Sequence, residues 1–201
     1  MIRIGSKLVY NTLPEIVNPA HTALIVWDVQ TILVQSIFNR EEFMKSIYNV
    51  LNSARRARVR IFFTRIEPLP IDFESPAKLY LYSKWKINRL DSRGLTLALR
   101  PLPNERVISK HSASIFFGTD FENMAKNAGI QTIVITGIAT ELGVESTVRD
   151  AYNRGFYSVV VKDAVSSSDK EAHERSLENM KKFADIVTSS DLARIWSTRS
   201  R

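Results

Sequence analysis

Gln131–Asp150 reads QTIVITGIATELGVESTVRD, and its two halves follow different periods. Thr132 to Thr136 is apolar or β-branched at every position, the pattern of a strand buried on both faces. Gly137 ends that run. Beyond it Leu142, Val144, Thr147, Val148 and Ala151 recur at three- and four-residue spacings, which predicts a helix. A strand that passes through a turn into a helix aims backbone N–H groups past the strand end, where an anion or a developing oxyanion is stabilised. One such junction fits any α/β protein, so the fold is decided by whether the rest of the chain repeats it.

It does. Thr22 to Val29 (TALIVWDV) is nearly all apolar until Asp28, and Glu41 to Arg58 follows with helical spacing at Phe43, Ile47, Val50, Leu51 and Ala54. Val59 to Ile66 reads as a second strand, Val107 to Ser109 as a short third one, and Phe156 to Val161 as a strand after Gly155. Lys162 to Asp169 reads as the approach to a helix with Asp169 as its N-cap. Ile186–Val187 and a helix from Asp191 to Trp196 close the chain. Strand alternating with helix predicts an α/β fold: a three-layer α/β/α sandwich around a six-stranded, mostly parallel, Rossmann-like sheet of order 3-2-1-4-5-6. Residues 1–201 are expected to form one domain, with 1–21 as an N-terminal arm or short hairpin.

Residues 67–104 hold five prolines and little periodicity, and connections of that length are commonly lids or binding loops. Tyr80, Tyr82, Lys84, Trp85, Lys86, Arg89 and Arg93 would suit a flat anionic ligand, or would equally be core aromatics with solvated cations.

Composition narrows the function classes. Of 201 residues 44% are hydrophobic and 24% charged, as in an ordinary globular domain. Lys and Arg number 28 against 21 Asp and Glu, a net charge of +7. The densest basic cluster, Arg55, Arg56, Arg58 and Arg60, falls at a helix end where cations complement the dipole, and no nucleic-acid motif accompanies it. With no cysteine, disulfides, thiolate metal sites and thiol nucleophiles are excluded within this chain. The N-terminus lacks a signal-type apolar core and no apolar run is of membrane-spanning length, so a cytoplasmic protein without a membrane partner is expected.

Asp28 ends an otherwise apolar strand, and a carboxylate there needs a partner or a task, because burying a charge alone is costly. Capping a neighbouring loop would answer this; so would ligand binding, which in open α/β sheets occurs at strand C-terminal ends. Gly143, for its part, is compatible with a close helix–strand contact.

Three motifs, spread over roughly residues 20 to 190, occur in the order found in the isochorismatase-like (cysteine hydrolase) superfamily. Asp28 and Gln30 in VWDVQ match the first. Lys110, Ser114, Phe116 and Thr119 match the second, with Phe121 where leucine is usual. Thr136, Gly137, Ala139, Thr140, Val144, Thr147, Asp150 and Ala151 match the third. The chain departs from the pattern where most members carry the catalytic cysteine, which is Gly143 here.

The resemblance implies that Asp28, Lys110 and position 143 meet at one sheet edge, Asp28 as acid/base and Lys110 as cation. It implies a cis peptide between Ile138 and Ala139 and a site around Gln30, Ile138, Ala139 and Thr140, to which Trp85, Arg89 and Arg93 of the 67–104 segment are added as candidate substrate contacts. Attack by a thiol is impossible at Gly143, and Thr140 and Ser146 are family-typical hydroxyls rather than substitutes. The isochorismatases proper of this superfamily also lack the cysteine, often with glycine there, and cleave a vinyl ether without a covalent intermediate. That reaction is therefore the expectation, on a small anionic metabolite, with no cofactor and with no metal, since residues 67–104 contain no histidine. His21, His111 and His173 are isolated in sequence, and His173 is expected on the surface or in packing. A homo-oligomer is expected. The rival readings are a catalytically silent member that binds a metabolite or protein, and, from the net charge, a nucleic-acid-binding module.

Overall fold

Successive side chains of a strand leave it on opposite sides. In Thr22–Trp27 every one of them is buried. Leu24 and Val26 enter an apolar layer with Phe43, Ile47, Val50 and Leu51, whereas Ala23, Ile25 and Trp27 enter a second with Phe121, Ala125, Val148 and Ala151. Burial on both sides requires helices over both faces of the sheet, and this is what the computed structural model shows for the residues it describes, 1–84 and 92–198.

In chain order, a hairpin of β1 (Ile2–Ile4) and β2 (Lys7–Val9) precedes the short helix α1 (Leu13–Ile16) and then β3 (Thr22–Trp27). Helices α2 (Thr31–Ser36) and α3 (Arg40–Arg56) lead to β4 (Arg60–Ile66). Helix α4 (Pro76–Lys84) and a 3₁₀ turn at Ser92–Leu95 lead to β5 (Arg106–Lys110). There follow α5 (Phe121–Asn127), β6 (Thr132–Ile138), α6 (Glu145–Asn153), β7 (Tyr157–Ser166), α7 (Lys170–Met180), β8 (Asp185–Val187) and α8 (Ser189–Ser197).

The six-stranded sheet has the order β5-β4-β3-β6-β7-β8, and every pair in it is parallel. Counted from β3 this is the expected order 3-2-1-4-5-6. The order reverses between β3 and β6, so the crevice beyond their C-terminal ends is the natural ligand site. Asp28 stands directly past β3, and Trp27 is in register with Gly137 of β6.

Helices α2 and α4 stand where the sequence reading had only loop, and three further elements differ from it. Strand β7 runs on to Ser166 instead of stopping at Val161. A register shift between Ile135 and Gly137 absorbs three extra residues in the stretch Val161 to Ala164, after which Val165 and Ser166 pair with Gly137 and Ile138. Asp163 then serves α8, accepting from the Ser189 N–H at 2.8 Å and its hydroxyl at 2.6 Å. Leu142 is exposed, because Thr140–Val144 winds as a π-type turn closed by the Val144 N–H on the Ala139 carbonyl at 3.3 Å, and the extra residue rotates Leu142 out of the apolar stripe. Helix α8 starts at Ser189, two residues early, behind a Thr188–Asp191 capping box.

The basic cluster is partly tied down. The Arg55 guanidinium donates to both Glu105 oxygens at 2.7 and 2.9 Å and to the Arg100 carbonyl, clamping α3 to the segment before β5. Burial raises the Glu105 pKa, but Arg55 and the Leu102 N–H outweigh it and hold the carboxyl below its usual range. A depressed pKa contributes stability above the ordinary carboxylate range and loses it as pH falls through the folded value. Glu105→Ala is expected to cost about 2 kcal/mol near neutral pH, the scale of a charged hydrogen bond. The corresponding fall in Tm, roughly 4–8 °C for a domain of this size, is measurable by thermal denaturation and should shrink in acid.

Candidate active site

At the end of β3 the chain turns sharply. Asp28 adopts a left-handed φ of 44°, a region that Asp tolerates better than most residues, and the Gln30 N–H bonds back to the Asp28 carbonyl at 2.7 Å. The turn drops the Asp28 carboxyl among the ends of β4 and β5. Its Oδ1 accepts from the Thr64 hydroxyl at 2.5 Å, and the same hydroxyl accepts from the Asp28 N–H at 3.0 Å. Its Oδ2 accepts from Lys110 Nζ at 2.6 Å. Lys110 also donates to the Ser112 carbonyl at 3.1 Å and lies 4.0 Å over the centre of the Trp27 ring.

Asp28 is 4% and Lys110 2% exposed, so the pair is all but sealed from water. Burial pushes the Asp28 carboxyl above its ordinary value, and the Lys110 charge and the two side-chain hydrogen bonds only partly offset this. Burial likewise pulls the Lys110 ammonium below its ordinary value, against the opposing pull of Asp28. Desolvation thus moves both partners toward neutrality, with the carboxyl raised above its ordinary value and the ammonium lowered below its own.

Gly143 adjoins this pair through Trp27. A Cβ at position 143 would lie 1.9 Å from Trp27 Nε1, 2.2 Å from Cε2 and 2.5 Å from Cζ2. The indole edge therefore rests on the bare glycine backbone, a close contact between the turn after β6 and the end of β3. Gly137 supports the same residue from below: its φ is 116° and a Cβ there would fall 2.0 Å from the Trp27 carbonyl oxygen. The Ile138–Ala139 peptide is cis.

The remaining expected site residues divide. Gln30 is fully buried and its amide is engaged at both ends: Oε1 accepts from the Ile66 N–H at 2.9 Å, and Nε2 donates to the Leu95 carbonyl at 2.6 Å. It braces the end of β4 and the segment around Leu95 against the turn at Asp28. The Thr140 hydroxyl is paired with His173 Nδ1 at 2.8 Å, and Ser176 donates to the Thr140 carbonyl at 3.2 Å, fastening the π-type turn to α7. His173 is therefore a buried packing residue, edge-on to Phe38, and burial lowers its pKa against the opposing pull of Glu141 and Glu174. Trp85 and Arg89 lie outside the described residues. Arg93 falls in the 3₁₀ turn Ser92–Leu95, but its side chain too is outside them.

Sequence reasoning missed Thr64 and Trp27. Thr64 was visible as the one hydroxyl in the otherwise apolar centre of VRIFFTRI. Trp27 gave no signal, since an aromatic residue in an apolar strand is ordinary core. Among the described residues no three His, Cys, Asp or Glu side chains come together as a metal-holding group. No helix there is long and apolar enough to cross a membrane.

A parallel six-stranded sheet under helices, with a buried acid–cation pair past its central strand and a cis peptide ending the next, defines an isochorismatase-like α/β/α protein. An Isochorismatase domain model matches residues 22–191, and the chain belongs to that family. It is 36% identical over 111 residues to an uncharacterized isochorismatase family protein of Escherichia coli, covering 55% of each chain. It is 40% identical over 97 residues to the ureidoacrylate amidohydrolase of Methylorubrum extorquens, covering 48% of this chain and 38% of that one. The chain thus spans about half the length, or less, of these curated relatives. A cysteine hydrolase from Pseudomonas syringae pv. phaseolicola shares the fold with a TM-score of 0.82, at 21% identity over 98% of this chain and 100% of that one.

Proposed function

We propose that the chain is a hydrolase acting on a small anionic metabolite without a covalent intermediate, with Asp28 as general acid/base. The observation that carries this reading is the sealed Asp28–Lys110 pair, 2.6 Å apart, beside a position 143 that has no side chain to attack with. Similarity to a ureidoacrylate amidohydrolase supports hydrolysis as the reaction class. The absence of cysteine from the chain supports a route without a thioester.

The reaction that best suits this equipment is vinyl-ether hydrolysis of the isochorismate type. Protonated Asp28 gives its proton to the terminal methylene carbon, and the ether oxygen stabilises the resulting cation. Water adds to the cationic carbon and loses a proton to the Asp28 carboxylate. The hemiketal then breaks its bond to the ring oxygen, releasing pyruvate and the alcohol. Lys110 pairs with a substrate carboxylate, and Arg89 or Arg93 with a second. Residues 67–104 would serve as the lid, and self-association is part of the same proposal, to be read by size-exclusion chromatography.

This mechanism needs Asp28 protonated near neutral pH. Because its pKa is raised, the competent acid form is present at low pH and lost as pH rises through the substrate-bound value. A substrate carboxylate that engages Lys110 removes part of the downward pull and shifts the fall to higher pH. The test is a panel of isochorismate, other enol ethers and small amides assayed across pH. Turnover of a vinyl ether with a falling alkaline limb is expected; turnover of amides alone would replace the substrate class. Chelator treatment should leave the rate unchanged, because the donor set expected to do the chemistry is a carboxyl and an ammonium. A rate lost to chelator and restored by one divalent ion would overturn that point.

A second reading, a silent member that only binds a metabolite, is favoured by one observation: both Asp28 oxygens already have partners within the protein. A panel without any turnover but with saturable ligand binding would select it.

A further inference from the structure

The mechanism above leaves one polar group of the site unused. The Trp27 side chain is 1% exposed, yet no described residue accepts a hydrogen bond from its indole N–H. The contrast within the chain is direct: the equally buried Trp196 donates its indole N–H to the Val17 carbonyl at 2.9 Å. The indole nitrogen is not one of the fully enclosed, unpaired side-chain atoms of the described residues, so the slight exposure that Trp27 keeps includes its N–H, which is open to an acceptor from outside the protein.

The location narrows that acceptor. Trp27 Nε1 stands over the Gly143 backbone, where any side chain would collide with it. The ring is capped on its face by the Lys110 ammonium, whose Nζ is bonded to Asp28. A cation on the π-face withdraws electron density from the ring and makes the N–H a better donor. Asp28, Lys110 and Trp27 thus form a chain of contacts past the end of β3: a carboxyl bonded to a cation, and that cation over the ring that carries the N–H. Acceptors that complete such a set are oxygen anions, above all carboxylates, because charged hydrogen bonds are the strong ones.

We propose that the Trp27 indole N–H is a substrate contact, donating to a carboxylate oxygen of the ligand, and that Gly143 is bare so that the indole can stand there. The proposal rests on the reading of the site as one for an anionic metabolite, and it adds the donor that fixes the anion beside Asp28.

The experiment follows the indole proton itself, which makes it independent of turnover. The chain has three tryptophans, so a protein labelled with ¹⁵N in the indole gives a small set of Hε1 signals. Trp27→Phe, which keeps a ring under Lys110 but removes the donor, identifies the Trp27 signal by its loss. Should that variant fail to fold, Trp85→Phe and Trp196→Phe identify it by elimination. Titration with pyruvate and with benzoate is expected to move the Trp27 signal downfield in a saturable way while the Trp196 signal stays in place. Trp27→Phe is expected to bind the same carboxylate roughly 10–100-fold more weakly, the scale of one hydrogen bond to a charged group. A Trp27 signal that neither carboxylate moves overturns the proposal, as does undiminished binding by Trp27→Phe. A signal that moves in a protein that hydrolyses nothing in the panel would remove the hydrolase reading and leave this contact standing.

Discussion

Asp28→Asn should abolish turnover of whichever substrate the panel identifies, by roughly 10²–10⁴-fold, the usual contribution of a general acid. The variant is mild in every other respect. Asparagine tolerates the left-handed φ of 44° about as well as aspartate, and its amide oxygen can still accept from Thr64 or Lys110. What it cannot do is supply and recover a proton. Lys110 would then face a neutral group, and its ammonium, already lowered by burial, would titrate lower still. Circular dichroism should therefore show a folded protein, and carboxylate binding near neutral pH should remain, whereas kcat collapses. Lys110→Ala should differ in kind, because it removes the cation proposed to hold the substrate anion, so that binding weakens along with turnover. A fully active Asp28→Asn protein would end the acid/base reading and leave the binding one.

Gly143→Ala is expected to act on stability. The added methyl would fall within 1.9–2.5 Å of three indole atoms, and Trp27, 1% exposed between Gly143 and Lys110, has little room to retreat. Overpacking of this kind costs about 1–3 kcal/mol, and contacts this short put the variant at the upper end. A loss of that size lowers Tm by roughly 6–12 °C in a domain of about 200 residues. The mechanism makes a further demand: in a Trp27→Leu background the same methyl should cost far less, with a coupling of about 0.5–3 kcal/mol between the two sites. Equal cost in both backgrounds would mean that the indole is not what the methyl meets. Gly137→Ala is the harsher neighbour, since there the obstacle is the Trp27 backbone carbonyl and φ is 116°, and no side-chain substitution relieves it.

Local sequence determined the central strands. Thr22–Trp27 and Thr132–Ile138 are apolar or β-branched almost throughout, and such runs are stable only between two neighbouring strands and two helical layers. That condition, together with right-handed crossovers, limits the topology to few choices, and the order of the sheet follows. Asp28 and Lys110, 82 positions apart, were legible as partners only through the resemblance of their motifs, as was the cis Ile138–Ala139 peptide; no spacing rule joins residues so distant. Tertiary structure alone decided the rest. Alternation states which face Trp27 takes but not which atoms await it there; that depends on the Trp27–Gly137 register and on the π-type turn that carries Gly143 over the ring. The same turn expelled Leu142 and drew His173 and Ser176 onto Thr140. Thr64 became a hydrogen-bond partner of Asp28 because β4 lies beside β3 with its hydroxyl level with Asp28, 36 positions away. Propensity and period are properties of a few consecutive residues, whereas the pKa of Asp28, the place of the indole and the use of a glycine are set by neighbours that only the packed sheet brings together.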